Sequence, residues 1–439
     1  MEKVLNQNLL QNDFFKGAKY MFSKTLLIIS LIFSSSVFAE SANSLRELLQ
    51  MAYKNNPGIK EDFQSWKAEE SMIVSKSTLD DPMIGISELN RGSKTQYGTV
   101  FQKIRFPSKY MYNSYAQDSR AHSFRSSFEA KKLEIREQVI SLYYSLYSKQ
   151  KIIQLTQANM ESVKEFARVA EKKYAAGKSS QGDSMKAHFE LTQLELDLIR
   201  LRQEEQALQD NLRSILNSSN FESIDLSSLS LLVPTFEEEK ILSVESELLK
   251  QLRDNSPLLK KEHYKLKEAE NLSRLAKWEF APDFQVQYQQ RISGDPVNSK
   301  IFSVGLTLPL WFWKKSSEAS AASAKKMAQE YRYQDVGIKL VAQIKGLRGK
   351  AGTEAKTLKV YQTSLIPQAQ GAYNSSRSAY QASRTTFLDL LDSERSLYRV
   401  KTGYYMSLKL YVETLSRLES QLGFQVSNLV TFDEVQNEK

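Results

Sequence analysis

Apolar residues recur every seven positions over two long stretches of the chain, and polar residues fill the positions between them. The longer stretch runs from about Tyr110 to Tyr174, and its return runs from Asp183 to Leu216. A seven-residue apolar repeat is typical of helices that coil around each other. At 1.5 Å per residue the longer helix is roughly 100 Å long. The pattern therefore predicts a long helical hairpin, and it predicts a second one over Ser316–Tyr380 and Asp389–Leu422.

A shorter helical stretch, Gly58–Asp80, precedes the first long helix. Its length and that of the return helix add up to nearly the length of the long helix. Stacked end to end, the two shorter helices could therefore line the long one.

A second pattern, strict alternation of apolar and polar residues, covers Phe284–Ile292 and, after a turn at Ser293–Ser299, Phe302–Leu310. Each segment has about ten residues, the length of a tilted strand that crosses a bilayer with one face toward lipid. Weaker versions of the same pair occur at Met83–Leu89 and Gln96–Phe106. The alternation therefore predicts four membrane-spanning strands.

Three tryptophans, Trp278, Trp311 and Trp313, flank the second strand pair at its base. Aromatic residues concentrate at membrane interfaces because the ring is apolar while the N–H prefers water. A sheet in a soluble protein would show the same alternation. The strand length, the flanking aromatic residues and the export signal together favour membrane strands over soluble ones. Four strands cannot close a barrel, and open edges in lipid would leave N–H and C=O groups without partners. The chain is therefore expected to oligomerise.

The sequence contains an internal duplication of about 200 residues. Three pairs of prolines are offset by 200, 200 and 202 residues, and Tyr174 and Tyr380 are offset by 206. Because proline marks where elements begin and end, matched prolines predict matched architecture. The predicted division is an N-terminal extension with signal peptide (1–39), a first repeat (40–219), a linker (220–244), a second repeat (245–424) and a tail (425–439).

The N-terminal region has the features of a secretory signal peptide. Lys24 precedes the mostly apolar stretch Leu26–Phe38, and Val37-Phe38-Ala39 fits a small-residue cleavage site. Met21 is a second candidate for the true start. An exported protein of Gram-negative type without a long apolar helix belongs either to the periplasm or to the outer membrane, and the strands favour the membrane.

Composition excludes several other classes. The net charge of +9 is spread along the chain without a basic tail, so we expect no nucleic-acid partner. The chain has no cysteine, which excludes disulfides, thiolate metal sites and a lipidated N-terminal cysteine. Its three histidines, His122, His188 and His263, lie far apart in sequence without carboxylates at metal-binding or catalytic spacing. We expect no enzyme, no metal site and no cofactor.

Two motifs, KYAAGKSSQGDSMKA (173–187) and AYQASRTTFLDLLDSERSLYRVK (379–401), together with the repeated order of strand hairpin and helical hairpin, resemble the TolC-like outer-membrane efflux proteins. The resemblance implies a mainly α fold with a membrane β-barrel portion. It implies a homotrimer in which four strands per chain form a twelve-stranded barrel above a long coiled-coil α-barrel in the periplasm. It also implies an outer-membrane exit duct that works with a periplasmic adaptor and an inner-membrane transporter.

The same resemblance implies a pore constriction at Asp389 and Asp392, which lie three residues apart on one helix face. In a trimer they would form a ring of six carboxylates, a filter of the kind that cation pores use. The alternative is that both residues stabilise the first turn of a helix through its dipole. The resemblance also places gate or tip roles on seven residues: Tyr380, Arg384, Gly177, Ser180, Asp183, Ser383 and Thr386. Ser383 replaces the usual tip glycine, and Arg384 is shifted by one position.

One rival interpretation is a periplasmic coiled-coil adaptor or scaffold, which would share the helical hairpins and the export signal. Such a protein usually has a membrane anchor and a single hairpin, and its strands would not have lipid-like faces. The transported substrate, whether metal ions, drugs or polypeptides, is not encoded in these patterns.

Overall fold

A computed structural model describes residues 45–90, 94–218, 223–227, 229–231, 233–293 and 299–429. The predicted signal peptide and the choice of start residue lie outside the described residues. The predicted turn at Ser293–Ser299 also lies largely outside them.

The first repeat consists of two short helices, two strands and a long helical hairpin. In chain order these are α1 Leu45–Asn55, α2 Pro57–Ser77, β1 Met83–Asn90, β2 Lys94–Ile104, α3 Pro107–Ala175 and α4 Gln181–Leu216. Helices α2 and α3 each begin at a proline, whose missing N–H costs nothing at the first helical position.

The second repeat has the same order after a single 3₁₀ turn at Glu238–Lys240. It consists of α5 Glu245–Asn255, α6 Pro257–Trp278, β3 Asp283–Ser293, β4 Lys300–Thr307, α7 Phe312–Val360, α8 Ile366–Gln381 and α9 Phe387–Leu422. Helices α4 and α9 both have 36 residues and begin 206 residues apart. The mainly helical, duplicated fold with four strands is as the sequence predicts.

The stretch Ser316–Tyr380, predicted as one continuous helix, is interrupted in the structure. A π-helical turn, Tyr361–Leu365, separates α7 from α8. Pro367 lies two residues after the end of this turn and has no N–H to donate to the carbonyl of Thr363. A widened turn absorbs that missing hydrogen bond and the bulk of the proline ring, whereas α3 has no internal proline.

The short helices stack end to end along the long ones, as predicted. The Asn56 side chain, at the start of α2, donates to the carbonyl of Ile215 near the end of α4 at 2.9 Å. In the second repeat, Ser256 donates to the carbonyl of Gln421 at 2.7 Å. A Cβ on Gly423 would lie 2.3 Å from the Asn255 carbonyl oxygen, so this junction accepts only glycine.

The four strands form one antiparallel sheet in the order β1-β2-β3-β4, so the two repeats meet at β2 and β3. One row across the sheet is apolar on every strand: Ile84, Val100, Tyr288 and Phe302. Ile84 is 82 % exposed and Phe302 is 69 % exposed. The opposite face carries glutamines along β3, with Gln285 bonded to Thr307 at 2.6 Å, but it also carries Met83 and Phe101 on β1 and β2. The predicted two-sided pattern is therefore clear in the second strand pair and weaker in the first.

The long helices pack side by side, with α3 against α4 on one side and against α9 of the second repeat on the other. A buried ion pair joins the repeats, because Arg136 on α3 contacts Glu419 on α9 at 2.8 Å. Glu419 also accepts hydrogen bonds from the Val426 N–H and the Ser427 hydroxyl, which tie down the chain after α9. None of the described helices has an apolar stretch long enough to span a bilayer.

Candidate functional site

The two helical hairpins end in turns of the same construction, here called the first tip (residues 176–180) and the second tip (residues 382–386). In the first tip Gly177 has φ +70°. Its N–H donates to the Tyr174 carbonyl at 2.9 Å, and the Lys178 N–H donates to the Lys173 carbonyl at 2.8 Å. This is a Schellman ending. Ser180 then caps α4 by accepting from the Gly182 N–H at 2.9 Å.

The second tip repeats this ending with a serine in the glycine position. Ser383 has φ +55°, and the Arg384 N–H donates to the Ala379 carbonyl at 2.8 Å. A side chain at positive φ costs conformational energy that glycine avoids. The Arg384 side chain is exposed and forms no ion pair within the described residues.

Asp389 belongs to the capping box that starts α9. Its carboxylate accepts from the Thr386 N–H at 3.2 Å, from the Thr386 hydroxyl at 2.7 Å and from the Thr385 hydroxyl at 2.8 Å. The Thr386 hydroxyl accepts in return from the Asp389 N–H. The hydrogen bonds from Thr386, then Thr385, lower the pKa of Asp389 below its usual range. The helix-start role considered for Asp389 is therefore present, while Asp183 lies in the first turn of α4 at the matching position.

Asp392 lies one turn further along α9 and is exposed. Its carboxylate accepts no hydrogen bond within the described residues, and its charge acts on the neighbouring Arg395. Of the two predicted constriction carboxylates, only Asp389 is held by hydrogen bonds in the described part of the chain, and the constriction itself stays a prediction.

Tyr380, near the end of α8, contacts the end of α3 and the start of α9, next to the two tips. Its side chain is buried, packs edge-on against Phe387, and has a hydroxyl without a partner in the described part of the chain. Burial, followed by the nearby charge of Asp183, raises the pKa of Tyr380. Lys173, in the last turn of α3, lies 3.9 Å from the ring centre of Tyr380 and donates to the Tyr380 carbonyl at 3.0 Å.

Sequence reasoning missed two contacts at this end of the molecule. One is the Lys173 contact with Tyr380, although Lys173 begins the first motif. The other is an ion pair in which the partly exposed Arg395 on α9 contacts the buried Glu190 on α4. Glu190 is 8 % exposed, yet nothing in its helical spacing separates it from a surface glutamate.

The predicted interface tryptophans lie together at one end of the sheet. Trp278 ends α6 just before β3 and stacks on Phe106 at 5.4 Å between ring centres. Trp311 and Trp313 follow β4 at 5.2 Å from each other and are more than half exposed. Their contact with lipid stays a prediction.

Two of the three histidines, which are far apart in sequence, contact the same tyrosine ring. His122 stacks on Tyr264 at 4.9 Å, and His263 packs against the same ring at 5.8 Å. Helix packing joins them although they are far apart in sequence. Within the described residues no group of three or more histidines and carboxylates could hold a metal ion.

The model of the outer membrane efflux protein family matches residues 108–218 and 248–423, which covers more than half of the chain. The chain belongs to the outer membrane efflux protein family. It is an outer-membrane exit channel with a long periplasmic helical portion, and it is not an enzyme. This confirms the predicted duct over the adaptor or scaffold. Members of this family work in tripartite pumps and are generally trimeric.

Relatives and solved structures of similar fold agree with this assignment. The cobalt-zinc-cadmium resistance protein CzcC of Cupriavidus metallidurans is 20 % identical over 383 residues, 87 % of this chain and 90 % of CzcC. A membrane protein from Pseudomonas aeruginosa matches with a TM-score of 0.76 at 15 % identity, covering 89 % of this chain and 98 % of that one. The Campylobacter jejuni CmeC outer membrane channel matches with a TM-score of 0.75 at 16 % identity, covering 90 % of both chains.

Proposed function

We propose that three copies of this outer-membrane efflux protein close one duct, whose wall in the membrane is a twelve-stranded barrel. The single observation that carries this proposal is the four-stranded sheet with two open edges, β1 and β4, and an exposed apolar face. Open edges in lipid leave backbone groups unpaired, so β4 of one copy pairs with β1 of the next. The apolar row then faces lipid, and Trp278, Trp311 and Trp313 lie at the membrane interface.

The internal duplication supplies a register for that pairing. Within one chain the repeats meet where Ile104 lies opposite Phe284. Moving Ile104 on by 202 residues gives Leu306, and moving Phe284 back by 200 gives Ile84. Leu306 of one copy therefore lies opposite Ile84 of the next, with both side chains on the apolar face.

Cysteine pairs test this closure cleanly because the chain has no cysteine of its own. Ile84→Cys with Leu306→Cys should form disulfides between chains on mild oxidation and give a linked trimer on a denaturing gel, since facing strand positions are within disulfide reach. The matched control, Ile84→Cys with Gly305→Cys, places one thiol on the opposite face. A monomer under oxidising conditions, or equal linking in the control, would contradict the proposed closure.

The periplasmic end of this duct docks with an adaptor and an inner-membrane transporter, and docking opens it by untwisting the helical ends. Its narrowest part is the ring of Asp389 and Asp392 from the three copies. The exposed, unbonded carboxylate of Asp392 supports this role, while Asp389 also caps its helix.

In planar bilayers, replacing both aspartates by alanine should change single-channel conductance and the block by divalent cations. Asp392→Asn alone should reproduce most of the change because Asp389 is already engaged by two threonines. Unaltered currents and block in the double variant would remove the filter role.

Divalent metal cations are the proposed cargo. The support is the relative named for cobalt, zinc and cadmium resistance, which matches along 87 % of this chain. Deleting the gene should lower growth in zinc, cobalt or cadmium, and expression of the intact chain should restore it. Normal metal tolerance together with new sensitivity to dyes or detergents would show a different cargo.

A further inference from the structure

Glu394 on α9 is a buried carboxylic acid that belongs neither to the capping box of Asp389 nor to the proposed constriction. It is 5 % exposed, and one of its carboxyl oxygens has no hydrogen-bond partner in the described part of the chain. The hydroxyl of Ser162 on α3 bonds the other oxygen. Burial raises the pKa of Glu394 to about 8. An ionised carboxylate at this place would therefore lack the water or cations that it needs.

The surroundings of Glu394 offer little compensation for a negative charge. Glu190 of α4 adds a second negative charge nearby, and Arg377 of α8 is shared with Glu165 of α3 at 4.0 Å. The cleft beside the carboxyl contains mostly neutral groups. The polar and titratable groups that face it are Asn159 and Ser162 from α3, Gln370 and Tyr373 from α8, and Tyr398 and Lys401 from α9, with Arg395 beside Glu190. Lys401 is engaged with Gln370 at 3.0 Å.

The position of Glu394 couples its charge to the packing of the tips. It lies where α3, α8 and α9 meet, two residues beyond Asp392 on another face of α9. Tyr373 and Leu397 line the same cleft as Glu394 and belong to the apolar cluster that contains Tyr380. Separating α8 and α9 from α3 would expose the carboxyl to water and allow it to ionise.

We propose that Glu394 is a proton-operated lock: its neutral form holds α3, α8 and α9 together at the closed periplasmic end, and its ionisation favours their separation. This inference rests on the proposed function, in which separation of these helices opens the duct.

Proton linkage gives the direction in which the stability of the closed arrangement changes with pH. The closed arrangement holds the proton more tightly than a water-exposed glutamate of pKa 4.5 does. Its stabilisation is therefore complete below about 4.5, declines as the pH rises, and is lost above about 8. Within this window the open-to-closed ratio rises by up to about tenfold per pH unit for each Glu394.

The test compares the full-length protein with Glu394→Gln in planar bilayers between pH 5 and 8. The wild-type channel should open increasingly as the pH rises. Glu394→Gln, which keeps the shape and remains neutral, should stay mostly closed at every pH. Glu161→Gln, an exposed neighbour of Ser162, is the matched control and should behave like the wild type. A wild type without a pH response, or a Glu394→Gln channel with the wild-type response, overturns the lock.

A second measurement separates this inference from the proposed function. Infrared difference spectra of wild type against Glu394→Gln should contain one protonated-carboxyl band that persists well above pH 4.5 in the wild type. Ser162→Ala removes a bond that favours the ionised form and should move the loss of that band to higher pH. If no channel forms in bilayers, the proposed function fails, but this band still shows whether Glu394 keeps its proton above pH 4.5. A band that titrates at the ordinary glutamate value overturns the lock even where channels form.

Discussion

Ser383 and Gly177 occupy the same position in the two tips, both at positive φ. Relief of left-handed strain is worth about 1–2 kcal/mol, and the greater chain entropy of glycine offsets about 0.5–1 kcal/mol of it. Ser383→Gly should therefore stabilise the second tip by about 1 kcal/mol, seen as slower amide hydrogen exchange at residues 382–386. Gly177→Ser is the mirror control and should speed exchange in the first tip. Faster exchange in Ser383→Gly would refute the assignment of strain.

The stability of the second tip should also depend on pH, through the single residue Asp389. Because hydrogen bonds from Thr386 and Thr385 lower its pKa in the folded chain, its stabilisation is present above the ordinary value of 3.8. That stabilisation is lost as the pH falls through the lowered value. Limited proteolysis of the second tip should increase on acidification below pH 4 in the wild type and much less in Asp389→Asn. Asp392→Asn should keep the wild-type profile, since Asp392 accepts no such bonds within the described residues.

At the scale of elements, α9 approaches the π turn closely through Gly403. A Cβ added there would lie 2.7 Å from the Tyr361 hydroxyl. Gly403→Ala should therefore destabilise the protein by about 1–3 kcal/mol through overpacking. Adding Tyr361→Phe removes the clashing oxygen, although the ring carbon behind it is still 3.2 Å away, and should restore part of the loss. Thermal unfolding followed by circular dichroism measures both variants. Equal stability of Gly403→Ala and wild type would mean that the helices separate easily here.

At the scale of the whole molecule, the Arg136–Glu419 pair joins positions 283 residues apart, one in each repeat. Glu419→Gln leaves a buried guanidinium without its carboxylate, so unfolding should become easier by about 3–5 kcal/mol. Glu413→Gln is the matched control on the same helix. Its carboxylate is partly exposed and bonds Ser145 at 3.2 Å, so its loss should cost about 1 kcal/mol. Denaturant unfolding in detergent measures both, and equal losses would contradict a special role for the pair.

Patterns that extend over only a few residues were enough to predict the strands and the positions of the tips. Ser180 and Thr386, predicted only as tip residues, cap α4 and α9, and Phe284 to Ile292 alternate across the sheet as the strand period requires. The break at Tyr361–Leu365 could have been predicted from Pro367. The buried positions slip there, because Ile344, Ala351 and Leu358 are seven residues apart whereas the next buried residue, Tyr373, follows fifteen residues later.

The remaining features depend on contacts between distant parts of the chain. Glu394, Glu190 and Arg136 each resemble ordinary exposed helix residues in sequence, and each is buried. Lys173 and Tyr380 meet only because the two hairpins lie side by side.

The sequence by itself determined the duplication, the element order and the two-sided strands, because periodicity and proline position act over short range. Only the tertiary structure decided which polar groups lose water and which partners they receive. That outcome depends on which helix faces meet between the two repeats, and the spacing of residues along one helix does not contain it.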